Sequence, residues 1–383
     1  MDASNSNSNS AIQAVAEVQV PAKPGSDHAT ASAQTALVQK SSKHATVMGM
    51  ATNYPLKTFR QYVGSLRKTG FEGKIILAIS QDPKAGVEDY LKIQNVTMKR
   101  IQKINCTYDL LEIRGRDKKN LNSHQIEVAT CADPYPNLKI RWSRFALLRD
   151  YLEECKECTG PILISDVRDT FFQRDPFGPE APPVTGLQVF EEFKEQRTTH
   201  WLVQGPVEKC KNIKIFNETM LCSGTTIATR NDMLRYLNDM VAEMRFWMQH
   251  EKCCCNDMNG DDQSIHNWLF YGSKQLATYG TAQPNRMGLV HTAGAQASRL
   301  FQAKRKKGME ELGLEQRAAV VMPFTSKEEE ERGNWLGPEH GLTDPQGYLL
   351  DFNGERSFVV HQADRFGYPF EKWLWNHGPC KGL

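Results

Sequence analysis

The chain has 383 residues, of which 40% are hydrophobic and 24% charged, and its formal net charge is +2. That length and composition suit a globular protein with a large core, arranged as one big α/β domain or two smaller ones. A charge so near balance implies no steering toward nucleic acid or a membrane surface, and no run approaches the roughly 18 apolar residues of a membrane span.

Residues 1–43 are rich in Ser, Asn, Ala and Gln and open on the repeat SNSNSNS, so a disordered or stem-like tail is expected. They show no basic region followed by an apolar core. After them TVMGM at 46–50 predicts a strand, 56–68 an amphipathic helix, and KIILAI at 74–79 a second strand. Strand, helix and strand at that spacing form a βαβ unit and favour a parallel sheet. A helix is expected over 83–93, with Asp82 as its cap and Pro83 at its first position, followed by a strand over 96–101. Polar residues dominate 105–136, which reads as an insertion or mobile loop.

From Leu138 the apolar positions Leu138, Trp142, Phe145, Leu148 and Leu152 recur at helical spacing, and the run Ile162-Leu163-Ile164 then reads as a buried strand. Strands are also expected over 187–190 and 201–203. A long helix is expected over 231–249, whose Met-rich stripe is core. The stretch DDQSIHNWLFY at 261–271 predicts a helix with an acidic first turn, and 304–332 reads as solvated helix or loop, with the basic run Lys304 to Lys307 on its surface. Asn353-Gly354 predicts a hairpin between 348–352 and 358–360.

Ten cysteines lean toward an oxidising compartment. Cys155 and Cys158 form a C-x-x-C with no second pair at zinc spacing, so a disulfide or inert buried thiols are favoured over structural zinc. Sequons at Asn95, Asn105 and Asn217 are compatible with secretion.

The most informative stretch is PILISDVRDTFFQRDPF at 161–177. Its acids Asp166 and Asp169 fall just past a buried strand, where ligands of open α/β sheets sit. Two carboxylates three apart converge if the chain turns there, and such a pair grips a hard divalent cation. The competing reading has Asp166 capping the turn and Asp169 paired with Arg168 or Arg174. Arg168 stands where the Asp-x-Asp of a haloacid-dehalogenase phosphotransferase would need its second acid, which weakens that chemistry. His361 ends a strand and could supply a nitrogen ligand; His291, in GLVHTAG, is a weaker competitor.

ILISDVRDTFFQRDPF, MLCSGTTIAT at 220–229, DDQSIHNWL at 261–269 and VVHQADR at 359–365, in that order, resemble a nucleotide-diphospho-sugar glycosyltransferase of the GT-A architecture. The resemblance implies an α/β fold with a Rossmann-type, mostly parallel sheet flanked by helices and a smaller antiparallel, acceptor-binding subregion toward the C-terminus. It implies a single catalytic domain over 44–383, with 44–180 as the nucleotide-binding half and 181–383 as the donor-sugar and acceptor half. Asp169 would bind Mn²⁺ (or Mg²⁺), Asp166 the metal or the ribose, and His361 would complete the metal shell. Thr52 and Asn53 would flank the nucleoside base. Arg141 or Arg144 would reach the donor phosphates, with Arg168 beside them. Ser223 and Gly224 would lie against the donor sugar, and Asp262, Gln263 and Asp261 would face the reacting centre, with Asp262 as the candidate base.

The motif departs from Asp-x-Asp by one residue, as Asp166-Val167-Arg168-Asp169. The expected reaction is Mn²⁺-dependent transfer from a nucleotide sugar, a UDP-sugar, to a hydroxyl of a glycan, glycoprotein or small molecule. The rivals are a metal-dependent nucleotidyl- or phosphotransferase and a non-catalytic glycan-binding protein on the same fold. The resemblance places the chain in the secretory pathway or Golgi lumen, although no anchor is visible in it; the cytoplasm is the alternative.

Overall fold

The computed structural model describes residues 43–106, 130–192, 196–215, 217–250, 253, 261–293, 343–366 and 368–383. The expected tail up to residue 42 and the charged segment at 304–332 lie outside the described residues, as do Cys254 and Cys255.

The first half alternates strand and helix as the apolar pattern predicts. Strand β1 (Thr46–Ala51) leads to α1, a continuous helix over 56–68 whose middle turn, Arg60–Gly64, is π-helical. Then come β2 (Lys74–Ser80), α2 (Val87–Ile93) and β3 (Val96–Ile101). The α2 helix starts four residues later than expected, because Gly86 precedes it at φ +75°, a left-handed turn that interrupts any helix from Pro83.

The described flanks of the expected loop at 105–136 are not irregular. Strands β4 (Lys103–Asn105), β5 (Thr130–Ala132) and β6 (Tyr135–Lys139) form a small antiparallel sheet, and a Cys106–Cys131 disulfide ties the end of β4 to the central strand β5. Helix α3 (Ile140–Glu154) follows, then β7 (Ile162–Ser165), β8 (Phe171–Phe172) and β9 (Leu187–Glu191).

The segment at 201–203 is helical, contrary to the strand expected there. It begins α4 (Trp201–Lys211), whose cap His200 accepts the Leu202 N–H at Nδ1 and which ends at left-handed Asn212. Its buried Val203 and Val207 stand four apart, a helical period that three apolar residues cannot reveal. Beyond it lie β10 (Leu221–Ala228), α5 (Arg230–Met248) and α6 (Asp261–Asn267), which runs on into a π-helical turn at Trp268–Gly272. Thr229 caps α5 by accepting the Asp232 N–H at 3.3 Å. Strands β11 (Gly280–Gln283), β12 (Val290–Thr292) and β13 (Val359–His361) and helix α7 (Tyr368–Asn376) complete the chain.

The protein is an α/β molecule built on a seven-stranded, mostly parallel sheet of order β11-β9-β10-β7-β1-β2-β3. Only β10 runs against its neighbours β7 and β9. All eight of its positions are buried, so it lacks the alternation that marks a half-exposed strand. Alternate residues of β1 and β2 enter opposite layers. Met48, Ile76 and Ala78 join the core formed with Trp142, Phe145 and the Met stripe of α5. Val47, Ile75, Leu77 and Ile79 pack with Phe59, Tyr62, Val63 and Leu66 of α1.

A second small sheet, β12-β13-β8, covers a third core with Phe370, Trp373 and Leu374 of α7. The expected hairpin at Asn353-Gly354 closes through a Leu350–Arg356 bridge, with bonds from the Asp351 N–H to the Glu355 carbonyl and from the Ser357 N–H to the Leu349 carbonyl. The following strand, β13, pairs instead with β8 antiparallel and β12 parallel. That exchange positions the late histidine.

Candidate functional site

Strand β7 ends at Ser165, and Asp166 follows at the carboxyl edge shared with β1 and β2. Strand β10 holds that acid in place, since the Asp166 N–H donates to the Gly224 carbonyl at 2.8 Å. Three residues later the chain turns inward at Asp169, which is 4% exposed, and enters β8. Strand β13 pairs Val360 with Phe171, and the Ala363 N–H donates to the Asp169 carbonyl at 2.9 Å. His361 is thereby delivered to the acids. Its Nε2 lies 3.6 Å from Asp166 Oδ2 and 3.7 Å from Asp169 Oδ1.

One ligand atom from each of Asp166, Asp169 and His361 falls within 4.8 Å of the others, the arrangement a divalent cation needs. Two of those atoms, Asp169 Oδ1 and His361 Nε2, are buried without a hydrogen-bond partner. Buried polar atoms are almost always paired, so two orphans facing each other mark a place built for a ligand. The residues fit a hard cation with oxygen and imidazole donors. His291, the expected rival, is outside this group; it sits in β12 with Nδ1 3.4 Å from Ser357 Oγ.

Glycine is required at 224 by close approach. A Cβ there would stand 2.5 Å from His361 Nε2 and 2.8 Å from Asp166 Oδ2. Ser223 and Gly224 lie inside β10. Its register with β9 jumps from Cys222↔Phe190 to Thr226↔Val189, so residues 223–225 bulge beside the acids.

Arg144 of α3 ties the two acidic segments together. It forms an ion pair with Asp166, a second with Asp262 at 2.7 Å, and donates to the Ser223 carbonyl at 3.4 Å. Burial opposes its charge, but Asp166 and Asp262 more than offset this and raise its pKa. Burial also opposes ionisation of Asp166, yet Arg144 and His361 hold its carboxyl well below the usual range. At Asp169 burial pushes the pKa up, outweighing the attraction of His361 and of Arg168, 3.4 Å away. Burial would lower the pKa of His361, but the Cys222 sulfur and the two carboxylates raise it well above the ordinary value. Burial raises the Cys222 thiol itself, so it is protonated at neutral pH and the carboxylates carry that effect.

Asp262 is brought to the site with both oxygens engaged. Oδ2 accepts from Arg144, and Oδ1 accepts the Gln263 N–H at 3.0 Å. The Gln263 side chain donates to Glu192 at 3.0 Å. Asp261 is the first residue of α6, and its side chain lies outside the described residues. Arg141, half-buried, stands one turn before Arg144 on α3. Thr52 and Asn53 follow β1 on the same sheet edge. Asn53, at φ +61°, is fixed to the end of β2 by its N–H bond to Ser80 Oγ at 2.8 Å.

Arg168 points to the other side, 3.4 Å from Asp169 and 3.1 Å from Asp364. It lines a cleft of 410 Å³ that also touches Lys57, Gln61, Ala363 and Glu371. Four residues around the site received no role from the sequence: Tyr54 and Glu192, which lie outside the motif segments, and Cys222 and Gln362, which lie inside 220–229 and 359–365. Burial raises the Tyr54 pKa, with smaller effects of Arg168, Asp166 and Asp169. Its adjacency to Thr52-Asn53 was the one available signal.

No protein-family model matches the chain, and no curated protein matches it in sequence. Among solved structures, the galactosyltransferase LgtC in complex with donor and acceptor sugar analogues aligns with 82% of this chain and 86% of its own. The identity is 12% and the TM-score 0.41. A likeness at that level describes neither the reaction nor the ligands of this protein.

The C-x-x-C is a disulfide, Cys155–Cys158, and a third disulfide joins Cys210 to Cys253. Among the described residues no helix is long and apolar enough to cross a membrane.

Proposed function

We propose that this protein is a glycosyltransferase that moves a sugar from a nucleotide diphosphate sugar, a UDP-sugar, to a hydroxyl of a glycan, glycoprotein or small-molecule acceptor. The observation that carries this reading is the convergence of Asp166, Asp169 and His361, with two orphaned buried atoms between them, at the carboxyl edge of a mostly parallel sheet. Asp166, Asp169 and His361 would hold Mn²⁺ or Mg²⁺, which when bound neutralises charge building on a departing diphosphate. The ordered motif resemblance supplies the nucleotide sugar.

The chain's own groups have separable parts in this reading. Arg144, clamped by two carboxylates, is a fixed positive charge beside the acids. Arg168, at the rim of the 410 Å³ cleft, is placed to meet a phosphate oxygen that reaches it. Gly224 leaves the space a bound ligand requires. Asp262, with both oxygens occupied, fits positioning of Arg144 and of the α6 start better than proton abstraction from the acceptor. Three disulfides support residence in an oxidising compartment such as the secretory pathway.

The test is product analysis by mass spectrometry after incubation with a panel of UDP-sugars and Mn²⁺. Release of UDP with free or transferred sugar is expected, and it should disappear in Asp169→Ala. Release of UMP with a sugar phosphate would identify a phosphoanhydride-cleaving enzyme instead. No turnover, with glycan binding unchanged in Asp169→Ala, would identify a binding protein.

A further inference from the structure

Gln362, directly after His361, has a left-handed backbone at φ +58°. For a residue with a Cβ that conformation is strained, so something must hold it. Its side-chain Nε2 donates to Glu192 Oε1 at 2.9 Å and lies 3.6 Å from Cys222 Sγ. The same Glu192 oxygen accepts from Gln263 at 3.0 Å.

Glu192 itself is immobilised. It is 4% exposed, and its N–H donates to the Met220 carbonyl at 2.7 Å where β9 meets β10. On the other side of the ring, Cys222 Sγ stands 3.4 Å from His361 Nδ1, while Nε2 is turned to the acids. An imidazole that binds a cation through one nitrogen must carry its proton on the other, and the partner of that N–H sets ring orientation.

We propose that Glu192, Gln362 and Cys222 are positioning residues that aim His361 at the cation. Glu192 anchors the Gln362 amide and so holds the left-handed turn that ends β13. Cys222 accepts the His361 Nδ1–H and keeps Nε2 free toward Asp166 and Asp169. This rests on the cation-binding reading above, and binding of Mn²⁺ alone separates the two.

The experiment titrates the full chain with Mn²⁺ and follows the free ion by electron paramagnetic resonance. Near-ultraviolet circular dichroism checks the fold of each variant. Glu192→Ala, Gln362→Ala and Cys222→Ala should weaken binding about 10–100-fold. Glu192→Gln keeps an acceptor oxygen and should restore most of the affinity. Gln362→Gly should lose less than Gln362→Ala, because glycine adopts positive φ without strain. If Glu192→Ala does not fold, half-buried Gln362 carries the test. Equal affinity in the parent and all folded variants would overturn the positioning role and leave the cation site standing. No binding by the parent would remove the cation site, and this assignment with it.

Discussion

Asp169 is buried with one oxygen unpartnered, an arrangement that favours a ligand over the empty fold. Asp169→Asn should therefore leave the metal-free melting temperature equal or higher, while eliminating the stabilisation Mn²⁺ gives the parent, about 2.7 kcal/mol at a hundredfold excess over Kd. Calorimetry with and without Mn²⁺ reads both, and a variant that is still stabilised by Mn²⁺ would contradict the ligand role. Gly224→Ala keeps every ligand but drives a methyl into the His361 ring, so it too should lose Mn²⁺ binding, with about 1–3 kcal/mol of destabilisation. His361 has a raised pKa in the metal-free fold. Its contribution to stability is complete below the unfolded value near 6.5 and is lost as pH rises through the folded one. Cation binding must displace that proton, so the Mn²⁺-induced shift should grow with pH as metal-free stability falls; a shift independent of pH would exclude His361 as a ligand. The acids were legible because they follow an apolar run, and His361 because it ends one. Glu192, Cys222 and Gln362 were not, since their roles arise from hydrogen bonds between segments far apart in the chain.

At the scale of elements, the strands of the first βαβ units were readable from continuous apolar runs such as KIILAI, which only a sheet covered on both faces buries. The α2 start was misplaced because Gly86, not Asp82 or Pro83, sets the turn. Strand β8 has two residues and β10 carries Ser, Gly and Thr in a buried centre, so neither offered an apolar period. Yet these two deliver His361 and Gly224 to the acids. The disulfides make a separate prediction. Cys210–Cys253 ties α4 to the region beyond α5 across a sequence separation of 43, and Cys210→Ser should cost about 2–4 kcal/mol. Cys155–Cys158 spans three residues and should matter less, since the constraint on the unfolded chain grows with the loop closed. Thermal melts of the two variants decide the order, and an equal loss from both would contradict the loop argument.

Across the whole molecule, the central sheet puts the loops after β1, β2 and β7 on one edge, and the small β12-β13-β8 sheet carries the late histidine to it. The α/β class and the order of the segments were legible from sequence; the second sheet was not, because β13 leaves its sequence-adjacent hairpin to pair with distant strands. The proposed metal, donor and reaction all depend on that junction. The most direct test is a crystal structure with Mn²⁺ and UDP, located by anomalous scattering at the manganese edge. One peak shared by Asp166, Asp169 and His361 and touching the diphosphate is the expected result. A peak elsewhere, or none with the three side chains unchanged, would contradict the cation site and the transferase reading built on it.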